Sequence, residues 1–312
     1  MGKISPLYDG ILLNCTITSD AHIDVKHPMP WLPMMMLKKS LKDAAGSVSH
    51  VNAYITVGDT TSRGQKENWE LAKKCFDKYA EVYPILAVGN HDLWHDNDFD
   101  AAVAEYYKYY QLICSRKLTA PYFLEVINDY HFIFLGNDAE SGCAAHISDE
   151  QFEWFKFEMS RAAQGGKPIF VFCHQSLNQK HGLPRTWDRH EDPNRPLDEG
   201  GIGARSAEIE AVLKSYKNVY YFSGHSHMGL CGEKTKEKEG YATFEQEDGL
   251  TLINLPSLSN GNHHGETNEI GLGVQLEVYA DKVVIRPRNF KTRSWNKKIT
   301  VKDGKPYWEN SI

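Results

Sequence analysis

Apolar residues in this chain come in short runs that stop at glycine or at a polar cluster, with amphipathic stretches between them. Short apolar runs bounded by turn signals read as buried strands, and a 3.6-residue period reads as helix. On that basis Ile11 to Thr18 is the first strand, ending in Ser19-Asp20-Ala21-His22, and Ala53 to Val57 is the second, ending in Gly58-Asp59. Ile85 to Val88 is the third and runs straight into Gly89-Asn90-His91-Asp92. Helices are expected at Met34 to Ala45, Lys66 to Tyr79 and Asp100 to Cys114. Tyr122 to Ile127 and His131 to Leu135 predict a β-hairpin around Asn128-Asp129-Tyr130. Ser148-Asp149-Glu150-Gln151 has the form of a capping box opening a helix to about Ala163. Ile169 to Cys173 is a further strand and stops at His174. After a helix at Ala207 to Tyr216, the strand Lys217 to Phe222 leads into Ser223-Gly224-His225-Ser226-His227. The remainder is β-rich, with strands at Leu250 to Leu255, Gly273 to Tyr279 and Lys282 to Arg288.

Strands alternating with helices indicate an α/β fold with parallel strands, whose functional groups gather beyond the strands' carboxyl ends. No repeat and no Pro-, Gly- or Ser-rich linker divides the 312 residues, so one domain is expected, with its core at about 11–290 and a C-terminal extension at 291–312. Met34-Met35-Met36 reads as core and rim packing, with a substrate-facing wall as the alternative. The tyrosines of the third helix read as helix-to-sheet packing rather than a platform for stacked bases. Ser176 to Ala204 breaks the rhythm: it is long, poor in apolar residues and rich in proline and arginine. Loops of this length inside compact domains are functional or disordered, and a substrate-contacting flap is the preferred reading.

Composition narrows the function class. Hydrophobic content of 41% and charged content of 24% suit a soluble globular protein with a sizeable core. The net charge of −6 argues against a nucleic-acid polymer as partner, because phosphate backbones require a cationic surface. No run approaches the roughly 20 apolar residues of a membrane span, and Met1 to Gly10 lacks the pattern of a signal peptide. The six cysteines are scattered without a Cys-x-x-Cys pair, which suggests reduced thiols and a cytoplasmic protein.

Five strand ends carry metal-ligand residue types: Asp20 and His22, Asp59, Asn90, His174, then His225 and His227. Taken singly, each has a plain alternative as a turn, a helix cap or a core histidine. Imidazole, carboxylate and amide oxygen without thiolate suit Mn, Fe, Zn, Co or Ni. Seven donors exceed one tetrahedral ion and suit two ions sharing a carboxylate, as in sites that hold both the attacking and leaving oxygens of a phosphoryl group. Glycines 58, 89 and 224 would permit the close backbone approach such a site needs.

In this order the stretches resemble the calcineurin-like metallophosphoesterase superfamily, with its Asp-x-His, Gly-Asp, Gly-Asn-His-Asp/Glu, His and Gly-His-x-His motifs, over roughly Ile11 to Arg288. The resemblance implies a four-layer αββα sandwich with mixed sheets and helices outside. It implies a dinuclear centre of two divalent or trivalent ions, foremost Mn, Fe or Zn. Asp20, His22, Asp59 and His227 would hold the first ion, Asp59 would bridge, and Asn90, His174 and His225 would complete the second. His91 would face the phosphate, with Asp92 orienting its ring. The implied reaction is hydrolysis of a small phosphomonoester or phosphodiester by a metal-bound hydroxide. Asn90, His91, Asn178, His181, Arg185 and Arg189 are candidates for substrate contact, and His263-His264 for the edge of the site. One departure is Ser62, where purple acid phosphatases carry a tyrosine, which disfavours an iron–tyrosinate centre. The rivals are a protein phosphatase and a catalytically silent scaffold, as in the retromer subunit of this fold. All eight motif positions being filled weighs against the scaffold. Oligomeric state is not legible.

Overall fold

Alternate residues of a strand face opposite sides, and in this chain both sides are apolar. In Ala53–Val57 (β2), Ala53, Ile55 and Val57 face one core while Tyr54 joins another. In Ile169–Phe172 (β6), Phe170 and Phe172 share the first of these cores, and Ile169 and Val171 enter a third. Such strands must be covered on both faces. A computed structural model describes residues 2–94, 98–181, 200–227, 243–260, 269–295, 297–302 and 305–310, with side chains to residue 295.

Leu13–Thr18 (β1), β2 and Pro84–Ala87 (β3) are parallel neighbours. The other side of β1 pairs antiparallel with Leu272–Val278 (β10), which pairs with Val283–Asn289 (β11). In the second sheet Tyr130–Phe134 (β5), β6, Val219–Ser223 (β7) and Leu250–Asn254 (β9) are parallel. Phe123–Ile127 (β4) and Phe244–Glu247 (β8) are its antiparallel edges. Helices Trp31–Ala45 (α1), Lys66–Phe76 (α2) and Phe99–Cys114 (α3) pack with the outer face of the first sheet. Asp149–Ala163 (α4) and Ser206–Lys214 (α5) pack with that of the second. The core between the sheets makes four layers, the αββα sandwich that the resemblance implied. A ladder of stacked rings, Phe123, Phe134, Phe172 and Phe222, crosses four adjacent strands at centroid spacings of 4.6, 4.7 and 5.0 Å.

The structure revises several local expectations. Tyr130 belongs to β5, and Asn128-Asp129 alone make the hairpin turn, both at positive φ (51° and 63°), as a type I′ turn requires. Ser148 Oγ accepts the N–H of Gln151, but Gln151 does not complete a capping box, because its amide bonds Gly136 and Asp138 instead. In the C-terminal stretch, Ser294–Trp295 (β12), Lys297–Lys302 (β13) and Lys305–Asn310 (β14) extend the first sheet. β11 changes partner from β13 to β12 around Pro287, which has no N–H to donate. Met36 is buried, whereas Met34 and Met35 lie at the rim of the core. Tyr106 and Tyr110 are buried in packing, and the Tyr106 hydroxyl donates to the carbonyl of Leu86 at 2.8 Å. No described helix is long and apolar enough to cross a membrane.

Candidate metal centre

Because β1, β2 and β3 run parallel, as do β6 and β7, their carboxyl ends present the five polar stretches as loops. The chain must turn sharply there, and Asp20, His22, Asp59, His225 and His227 all take positive φ, between 46° and 65°. That region is sparsely populated for residues other than glycine, and strain of this kind concentrates at functional sites. Gly89 and Gly224 let the strands close up: a Cβ on the first would strike the Asp59 backbone and carboxylate, and one on the second would strike Ser19 and Asp20. Hydroxyls fasten the turns from below. Ser19 donates to the carbonyl of Val57, Ser257 to that of Asp20 and Ser259 to that of Ala21.

Donor atoms from both sheets converge in two groups. Around Asp20 Oδ1 stand His227 Nε2 at 3.0 Å and His22 Nε2 at 3.6 Å, with the two imidazole nitrogens 3.0 Å apart. Around Asp59 Oδ2 stands His174 Nε2 at 3.0 Å, itself 3.2 Å from His225 Nδ1. Asp59 Oδ2 is also 3.7 Å from His22 Nε2, so this carboxylate lies between the groups, while its Oδ1 accepts the backbone N–H of His91. His174 Nδ1 must carry its proton, because it donates to the carbonyl of Val57 at 2.8 Å. That leaves Nε2, in the neutral ring, as a lone pair for a cation. Asn90 Oδ1 is buried and has no hydrogen-bond partner among the described residues, a costly state for an amide oxygen unless a ligand takes it.

Electrostatics give the same picture. Burial alone would raise Asp20 and Asp59, yet the surrounding histidines hold both carboxyls below the usual range: His227 and His174 chiefly for Asp20, His174 and His91 chiefly for Asp59. Burial opposes charge on His174 too, but Asp59 and Asp20 push it up to about 9. Burial lowers His22 and His225. Two buried carboxylates thus demand positive charge, which protonated His174 supplies and which bound cations would supply better. Among the described residues no thiolate joins the set, since burial raises the adjacent Cys173 to about 11. The donors present fit a pair of borderline or hard metal ions.

Asp92 departs from its expected role of orienting His91. The His91 Nδ1–H donates to the carbonyl of Ser62 at 2.9 Å. Asp92 accepts from the N–H groups of Thr60, Thr61 and Gly89 and from the Thr61 hydroxyl. It is fully buried, and burial followed by repulsion from Asp59 pushes it up to about 7. Three amide donors in adjoining loops outbid one imidazole, so Asp92 ties the Asp59 loop to the Asn90 loop. No local signal marks the Ser62 carbonyl, which pairing of β2 with β3 brings into place. His91 remains at the centre, with a ring nitrogen within 4.8 Å of ligand atoms of His22 and Asp59.

The long loop yields less. Asn178 does not reach toward substrate: its amide is spent on the N–H and carbonyl of Gly203. His181 is buried, and its N–H donates to Glu245 on β8. Arg185, Arg189, His263 and His264 lie outside the described residues, as does most of the expected flap.

A dimetal phosphatase from Danio rerio has a similar fold: the match covers 94% of this chain and 99% of that one, with a TM-score of 0.62 and 13% identity. GAP50, the anchor in the inner membrane complex of Plasmodium, matches over 96% of this chain and 89% of its own, with a TM-score of 0.56 and 13% identity. At such identities the likeness concerns the fold alone. No functionally curated protein matches the sequence at a significant level. The model of the calcineurin-like phosphoesterase family matches residues 14–229, which include every converging donor from Asp20 to His227, and the chain belongs to that family.

Proposed function

We propose that this protein is a dinuclear metal-dependent phosphoesterase that hydrolyses a small phosphomonoester or phosphodiester. The observation that carries the proposal is the sharing of Asp59 Oδ2 between two groups of donors that come from both sheets. Asp20, His22, Asp59 and His227 would hold one ion, and Asp59, Asn90, His174 and His225 the other, with Mn, Fe or Zn as the preferred metals. Such a pair supplies Lewis acidity toward a phosphoryl oxygen and a water acidified enough to attack near neutral pH. The chain's own share is positioning. His91, its Nδ1–H anchored on Ser62, is left with the other ring nitrogen to donate to a phosphoryl or leaving oxygen when protonated. The five described cysteines form no disulfide, which fits a reducing, cytoplasmic setting.

The test is hydrolysis of p-nitrophenyl phosphate and bis-p-nitrophenyl phosphate after metal stripping and reconstitution with Mn, Fe or Zn, alongside elemental analysis. Metal-dependent turnover is expected, and the preferred ester separates mono- from diesterase. A chain that binds neither ion nor turns over either ester is a scaffold instead.

A further inference from the structure

Beside His91 lies a cavity of about 240 Å³, lined in part by Asn90, His91, Trp94, Asp98, Phe99 and Glu140. Resting on the phosphoesterase reading, we propose that this cavity receives the alcohol portion of the ester and selects a flat group that is neutral or cationic over one bearing a second anion. Asn90 and His91 form its inner end, so a phosphoryl group at the metal centre would direct its ester oxygen toward it. The volume suits a group of about one ring, just below the range of about 300–1,000 Å³ common for small-molecule sites. Trp94 is half exposed and Phe99 stands beside it, and both offer aromatic surface to a flat ligand.

Charge sets the selectivity. Asp98 and Glu140 line the cavity, and no lysine or arginine does so among the described residues. Arg63 stacks over the Trp94 ring at 5.7 Å from the centroid and does not line the cavity. Asp98 accepts the N–H of Ala101 as the cap of α3. The opposite wall is already built: Asn137 donates to Ser141 and accepts from the N–H of His146, and Ser141 donates to the carbonyl of Ala144. With its polar groups engaged, that wall leaves the two carboxylates to decide which charge enters. Both are exposed, so salt will weaken their effect.

Ligand-observed NMR titration of the metal-loaded protein with 4-hydroxybenzylamine, phenol and 4-hydroxybenzenesulfonate tests this without turnover. At low ionic strength the ammonium compound should bind about fivefold or more tighter than the sulfonate, the scale of two exposed charge pairs. The gap should shrink with salt and vanish in the Asp98→Asn, Glu140→Gln double variant, while Trp94→Ala should weaken all three ligands. Equal binding of ammonium and sulfonate, or a gap that survives the double variant, overturns the inference. If discrimination persists in a protein that hydrolyses no ester, the phosphoesterase reading alone fails; hydrolysis without discrimination defeats the cavity assignment alone.

Discussion

Asp59 is the residue on which the two donor groups depend, since its Oδ2 faces His174 at 3.0 Å and His22 at 3.7 Å. Asp59→Asn keeps the shape and removes the charge, so turnover should fall by about a thousandfold or more with loss of bound metal. Activity assays paired with elemental analysis check this, and retained metal with full activity would dismiss the bridging role. His174 makes a pH prediction. Its folded value of about 9 stands above its ordinary 6.5. Protonation therefore stabilises the metal-free protein fully below pH 6.5, and that contribution is lost as pH rises through 9. Thermal scans of metal-free protein should show Tm falling across that window. Metal-loaded protein should not show the fall, because a ligand imidazole is already neutral. Asp92 acts through other residues. Asp92→Ala strands the buried N–H groups of Thr60, Thr61 and Gly89, which should cost about 2–4 kcal/mol in denaturant unfolding. Were activity to fall with stability unchanged, Asp92 would have a chemical role that its hydrogen bonds do not indicate.

Among elements, ten of the fourteen described strands were legible from their apolar runs to within two residues at either end, because each run is bounded by residues that cannot continue it, whereas β8 and the C-terminal β12, β13 and β14 were not. β2 coincides with its expected span, Ala53–Val57. The helix α1 starts three residues earlier than expected, because Pro33 fits inside the first turn. What joins elements was not legible. α1 is tied to β11 by a buried ion pair in which Arg288 donates to Asp43 at 2.8 and 2.9 Å, the arginine being fully buried. Asp43→Ala leaves that charge uncompensated and should cost about 3–5 kcal/mol, whereas removing both charges by Asp43→Leu with Arg288→Met should restore much of the loss. Chemical denaturation of the two variants decides it, and equal stability of both would show that the pair is not coupled.

At the scale of the whole molecule, the candidate metal ligands lie where the two sheets meet, so ions there would fasten one sheet to the other. Chelation should therefore lower Tm, and metal at about 100 times its Kd should restore about 2.7 kcal/mol. Calorimetry before and after stripping checks this, with Asp59→Asn expected to respond weakly. Asp20 and His227, 207 residues apart, meet at 3.0 Å because the sheet of β1 packs face to face on that of β7. Short-range pattern is enough to place Asp20, His22, Asp59, Asn90, His174, His225 and His227 at strand ends, since a run of apolar residues and the turn that stops it are neighbours in the chain. The donor chemistry was likewise legible, being a property of side chains alone. Tertiary structure decided the rest: that His91 leans on Ser62, that Asp92 serves the backbone, that Asn178 is spent on Gly203 and that a cavity opens beside His91. Each depends on which loops meet in space, and a buried polar group takes whichever partner packing brings within reach.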